Sequence, residues 1–306
     1  MTAISRKAKK EMLVESKPKI WTLPQIILML VILLASLTCL LPFVNVAAVS
    51  FSSKSAILRG DVSFWPVEFE TTAYKAIFSD PSMMTSLWYT VKITVAYTLF
   101  SMILTILMAY PLTKKRLRGR KFFNFLALFT MYFSGGTIPI YLNIKELGLL
   151  DTPWSLILPG MLSTYNMIIL KSFFTALPGE LEEAAIIDGA NDFQVLLKVY
   201  LPLSMASLAT LTLFYAVGKW NSFQDALYYI STKSYQPLQL KLYHIIKGSQ
   251  AVDVAAMEGG ASAVATSVSE SIEPATIIFA TLPILVVYPF VQRYFVAGVT
   301  IGAVKG

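Results

Sequence analysis

Apolar residues gather into six long runs, Ile26 to Val49, Met84 to Tyr110, Phe122 to Leu142, Trp154 to Phe174, Leu201 to Phe223 and Ala275 to Val296, with polar stretches between them. A helix crossing about 30 Å of hydrocarbon needs roughly 20 mostly apolar residues, and each run has about that length. The pattern predicts an all-α, polytopic membrane protein with six transmembrane helices. The first run follows a basic segment, as the core of a signal peptide would. At about 24 residues it exceeds the 7–15 of such a core, and no A-x-A cleavage site follows it, so it reads as a retained anchor.

Composition agrees. Of 306 residues, 56% are hydrophobic and 14% charged, with mean hydropathy +0.63. Soluble domains run to about 45–50% apolar and about 25% charged, so composition argues against a soluble enzyme and excludes a disordered chain. The formal net charge of +7 is explained by position rather than by nucleic-acid binding. Arg6, Lys7, Lys9, Lys10, Lys17 and Lys19 precede the first run, and Lys114, Lys115, Arg116, Arg118, Arg120 and Lys121 lie between the second and third. Cations concentrate on the cytoplasmic side of membrane helices. Both termini are therefore expected in the cytoplasm of a bacterial plasma-membrane protein, with cytoplasmic segments at 1–25 and 298–306 flanking a membrane domain at 26–297. Residues 50–83, 143–153 and 224–274 fall outside. The last of these reads either as a flexible surface loop or as a docking or substrate-facing element.

Chemistry-bearing residues are sparse. Cys39 and His244 are single, which leaves no Cys/His metal site to build. Gly218-Lys219 does not make a phosphate loop, because Trp220 follows where Ser or Thr belongs and Leu213 stands where Gly belongs. Within the runs, Tyr165 and Asn166 in the fourth and Lys219, Trp220 and Asn221 in the fifth, with Gln224 just beyond, combine amides, a cation and aromatic faces. They read either as the lining of a polar solute's path or as interhelical bonding and an interfacial aromatic belt. Ser134, Gly135 and Gly136 would loosen the third run, as a gate or for close helix packing. An ion-coupled secondary transporter would need acidic or histidine relays in the runs and often an internal repeat, and neither is visible.

The most informative segment is 177–202. Pro178 can open a helix, Glu180, Glu182 and Glu183 suit its positive N-terminal end, and Gly189 can end it in the left-handed conformation. A second short helix from Asp192, capped by Asn191 or Asp192, leads to Pro202. Interfacial helices favour Lys and Arg. This acidic pair is repelled by anionic lipid and free for a protein partner, the other reading being an ordinary interfacial loop.

Glu183-Ala184-Ala185, then Asp188-Gly189-Ala190, then Leu201-Pro202 resembles the EAA loop of binding-protein-dependent ABC importer permeases. Further likenesses are Ala109-Tyr110-Pro111-Leu112, Phe129 through Gly136, Leu158-Pro159, Leu213 through Ser222, Tyr235 through Gln239, and Gln292 through Gly306. Together they resemble the carbohydrate-uptake, MalG-type permeases of the LplC-like branch. The resemblance implies a type I importer permease fold and a pore shared with a second homologous permease. It also implies two cytoplasmic ATPases that carry the ATP and Mg, this chain binding no cofactor, and an extracytoplasmic, lipid-anchored solute-binding protein. The substrate implied is an oligosaccharide, a non-sugar solute being the alternative. Glu183, Ala184, Ala185, Asp188, Gly189 and Ala190 would form the contact with an ATPase.

Overall fold

A computed structural model describes residues 22–257 and 269–303, with side chains for 22–248 and 271–289. The cations before residue 22, the Gly/Ala/Ser-rich stretch at 258–268 and the last three residues lie outside the described residues. Among the described residues there are helices and turns and no strand.

Three helices are long and apolar enough to span a membrane: α1 (Leu23–Ser50), α4 (Pro81–Thr113) and Ser271–Pro289 within α15 (Ser269–Ala303). They correspond to the first, second and sixth runs. Between α1 and α4 lie the short helices α2 (Lys54–Leu58) and α3 (Thr72–Ser79). α4 is the central element, packed along α8 (Thr164–Ala176) and α12 (Met205–Trp220), while α15 lies against α1 and α12. The packed face of α4 carries small hydroxyls, with Ser86, Thr90, Ser101 and Thr105 all buried. Thr105 and Tyr215 share a 2.7 Å hydrogen bond between α4 and α12.

The middle runs are not continuous helices. The third divides into α5 (Arg120–Tyr132) and α6 (Thr137–Glu146), bent by 114°. The break falls at Phe133–Gly136, where Gly136 takes φ +88, a conformation open to glycine and costly for other residues. Ser134, Gly135 and Gly136 are exposed and supply the bend itself. The fourth run holds only α7 (Trp154–Ile157) and the 13-residue α8, because Pro159 and Gly160 (φ +71) interrupt it. Tyr97 of α4 donates to the Gly160 carbonyl at 2.8 Å and fixes that turn. The fifth run starts within a bent element, Asp192–Leu203, which ends in the short α11 (Leu201–Leu203) and meets Met205–Trp220 at 84°. Pro202 has no N–H and its ring crowds the carbonyl four residues back. The backbone before it widens into a π turn over Leu196–Tyr200, with the Leu201 N–H reaching Leu196 O. Counting each bent pair as one span gives five.

The stretch from residue 224 is largely helical as far as residue 257, and it is packed rather than a loose loop where its side chains are described, up to residue 248. α13 (Gln224–Tyr229) and α14 (Leu238–Met257) belong to it, and Leu238 and Leu240 are fully buried. The Leu238 N–H donates to Thr90 Oγ1 at 2.8 Å. Asp151, at φ 57, staples the neighbouring 143–153 connection to it. Its carboxylate accepts from the Ser231 and Thr232 amides at 2.9 and 2.8 Å and from the Thr232 hydroxyl at 2.6 Å. The bonds from Thr232 hold the Asp151 carboxyl below its ordinary pKa. Asp151→Ala should speed amide exchange at Ser231 and Thr232 by about tenfold or more, read by hydrogen-exchange mass spectrometry, while α4 stays protected.

Candidate functional site: an acidic helical hairpin clamped to two helix ends

Helix α9 (Gly179–Ile187) starts after Pro178, which occupies the cap position itself, and carries Glu180 and Glu182 in its first turn. It closes with a paired-bond stop in which Gly189 (φ +84) donates to Ile186 O at 3.0 Å and Ala190 to Ala185 O at 2.9 Å. The next residue, Asn191, caps α10 (Asp192–Val195) by a reciprocal box with Gln194, both bonds 2.9 Å. With a stop on one side and a cap on the other, the turn between the two arms has one well-defined geometry.

Six residues of this hairpin are expected to meet a partner, and they divide by position. Glu183 and Ala184 are exposed on the outer surface. Asp188 and Gly189 form the exposed turn. Ala185 and Ala190 are half-buried and pack against the chain's own core. Ala185, Asp188, Gly189, Ala190 and Lys198 border a cavity of ≈ 380 Å³ between the arms.

The hairpin is fastened at its base by residues that the motif does not name. Lys114, at the end of α4, reaches Glu182 Oε2 at 2.7 Å, with 10% and 20% of the two side chains exposed. Tyr200 donates to the same Glu182 oxygen at 2.6 Å, and Lys114 Nζ lies 3.2 Å from the Tyr200 hydroxyl. The ammonium also sits 4.2 Å from the Tyr110 ring centroid and 4.3 Å from that of Tyr200, a cation–π cage. Tyr110, Phe174 and Tyr200 meet edge to face, joining α4, the end of α8 and the hairpin's second arm. Tyr110 donates to Asp192 O at 3.1 Å, and Arg116 pairs with the Asp192 carboxylate. Burial pushes Glu182 up, but hydrogen bonds from Lys114 and Tyr200 outweigh it and hold the carboxyl below its ordinary pKa. Burial, then acceptance by Glu182, pushes the Tyr200 phenol up. The result is one connected block from the acidic arm to the ends of α4 and α8.

Sequence signals for this block are faint. Lys114 reads as one cation in a topological cluster, and Tyr110 as part of a motif with no stated role.

The candidate pathway residues differ in burial and in partners. Asn166 is buried in the first turn of α8, while Tyr165, Asn221 and Gln224 are exposed. Trp220 is buried and its indole donates to Ala280 O on α15 at 3.1 Å. Lys219 is buried with Nζ 3.3 Å from Asp225 Oδ2 and 5.0 Å from the Tyr97 ring, so its charge is answered within the chain. Gly218 and Lys219 fall in the last turns of α12, whereas a phosphate loop precedes its helix.

Comparison with known proteins agrees with this architecture. Residues 81–301 match the family described as binding-protein-dependent transport system inner membrane component. The polygalacturonan/rhamnogalacturonan transport system permease protein YtcP of Bacillus subtilis (strain 168) is 42% identical over 277 residues, covering 90% of this chain and 96% of that protein. Protein LplC of the same organism is 44% identical over 267 residues, 87% and 90% of the two chains. A crystal structure of a bacterial ABC transporter involved in the import of the acidic polysaccharide alginate superposes with TM-score 0.79 at 33% identity, covering 91% of this chain and 99% of that one. The helical fold, its ABC-importer permease topology and the matched sequence over most of the chain lead to one assignment: the protein belongs to the binding-protein-dependent transport system inner membrane component family.

Proposed function

We propose that this chain is one permease subunit of a bacterial ABC importer for oligosaccharides. It would form the translocation path with a second, homologous permease and receive substrate from an extracytoplasmic solute-binding protein. The work would come from two cytoplasmic ATPases that supply the ATP and Mg. Six crossings, with both termini inside, follow if α7 and α8 together serve as the span that their separate lengths do not make. The six cations at 114–121, at the base of the hairpin, support a cytoplasmic position for that end.

One observation carries the coupling role: an acidic, exposed turn of fixed geometry is bonded at its base to the end of α4 and packed through Phe174 against the end of α8. In this reading Glu183, Ala184, Asp188 and Gly189 face the ATPase, with Ala185 and Ala190 as the small residues that let the arms close. Nucleotide-driven closure of the ATPases moves the hairpin. Lys114, Glu182 and Tyr200 pass that displacement to the helices, which switch between inward- and outward-open packings that differ by a few kcal/mol. Tyr165, Asn166, Asn221 and Gln224 are assigned to the substrate path, with Lys219 and Trp220 shaping its wall from behind. The unwound Ser134–Gly136 segment is assigned to the gate.

Uronic-acid oligosaccharides are the first substrates to try, because the names of the similar proteins include polygalacturonan and the acidic polysaccharide alginate. The complex reconstituted with its binding protein should hydrolyse ATP several-fold faster with such an oligosaccharide than without. Stimulation by no saccharide at all would end the import reading. Stimulation by a neutral one alone would correct the substrate class.

A further inference from the structure

A second cavity, ≈ 440 Å³, opens beside the clamp, with Tyr110 in its lining. Its wall is apolar, made by Leu107 and Pro111 of α4, Leu117 of the turn that follows, and Phe193 and Leu196 of the hairpin's second arm. Its rim is cationic, with Lys114, Arg116 and Arg118. Asp192 is the one acidic residue on that rim and is already paired with Arg116, while Lys114 is held by Glu182. Arg118 is exposed and has no acidic partner among the described residues.

Leu107, half exposed, lies seven residues before Lys114, about 10 Å along the helix axis. The cavity therefore runs from hydrocarbon depth up to a ring of positive charge at the helix end. A small free anion would use only the rim. A molecule with an anionic phosphate and an acyl chain uses both halves, and basic pockets between membrane helices on the cytoplasmic side suit such headgroups.

We propose that this cavity binds one anionic phospholipid, its phosphate at Arg118 and Arg116 and an acyl chain along Leu107 and Leu196. The proposal rests on the reading of α4 as a membrane span with its Lys114 end in the cytoplasm. Because the rim shares Arg116 with the hairpin residue Asp192, an occupied site bears directly on the clamp.

The test is native mass spectrometry of the purified complete transporter, extracted from vesicles of equal phosphatidylglycerol and phosphatidylcholine. The wild type should retain phosphatidylglycerol preferentially, and Arg118→Glu, which leaves the Lys114–Glu182 pair in place, should lower that retention by about fivefold or more. Should the variant fold poorly, the wild-type preference between the two lipids decides alone. Equal retention of both lipids, indifference to Arg118→Glu, displacement of the lipid by millimolar inorganic phosphate, or a cavity filled by the second permease would each overturn the assignment. Lipid retention is read without substrate or nucleotide, so failure of saccharide import leaves this outcome unaffected.

Discussion

Replacing Gly189 by tyrosine should lower saccharide-stimulated ATP hydrolysis by the reconstituted complex about tenfold or more, with uptake falling in step. Two effects act at this position, and they can be separated. Any residue with a Cβ meets the cost of φ +84, about 1–2 kcal/mol. Space within the chain is not limiting, because a Cβ built on Gly189 finds nothing within 4 Å. Gly189→Ala carries the backbone strain alone and should keep most of the activity. Gly189→Tyr adds a ring that projects from the turn into the space assigned to the ATPase. If alanine and tyrosine prove equally harmful, the turn's conformation matters and the docking surface does not. If neither does harm, the hairpin is not the contact.

Lys114→Met should give a different defect, with uptake lost while ATP hydrolysis continues. The exposed turn at 183–190 is untouched, so an ATPase can still bind and cycle. What disappears is the bond from α4 to the hairpin, together with the cation in the Tyr110–Tyr200 cage. Removing one member of a shielded ion pair leaves the other charge uncompensated, which costs about 3 kcal/mol in buried settings. Here the cost is smaller, because Glu182 keeps 20% of its side chain exposed and Tyr200 still donates to it. Even half of that figure, about 1.5 kcal/mol, is a factor of about ten in the balance between two packings. The ratio of saccharide imported to ATP hydrolysed in proteoliposomes should therefore fall about tenfold. Glu182→Gln, which retains a hydrogen-bonding group, should fall less. A normal ratio in Lys114→Met would remove the clamp from the transmission path.

Legibility in the sequence follows from which interactions are local. The runs Ile26 to Val49 and Met84 to Tyr110 lie within α1 and α4, and Ala275 to Val296 lies within α15, because in each the apolar surface is continuous. The middle runs have the same mean character but contain Gly136, Pro159-Gly160 and Pro202, and hydropathy averages across such breaks. The hairpin was readable in detail, since caps, a left-handed glycine and first-turn acids are short-range features. Its first helix begins one residue later than Pro178 alone suggests. The clamp was not readable, because Lys114 and Tyr200 are 86 residues apart and meet only after α4 and α8 have packed. The same holds for Trp220 and Lys219, whose polar atoms look available in a list of residues and are taken by Ala280 and Asp225 once the chain folds.

The central claim is that the turn ending α9 touches the ATPase. Ile187, adjacent to that turn, is 85% exposed, and Cys39 is the chain's only cysteine. Ile187→Cys in a Cys39→Ser background, labelled with a thiol-reactive photocrosslinker in the assembled transporter, places the probe at the proposed contact. Illumination should yield one principal adduct with the combined mass of permease and ATPase subunit. Adducts with lipid or with the second permease alone would contradict the account.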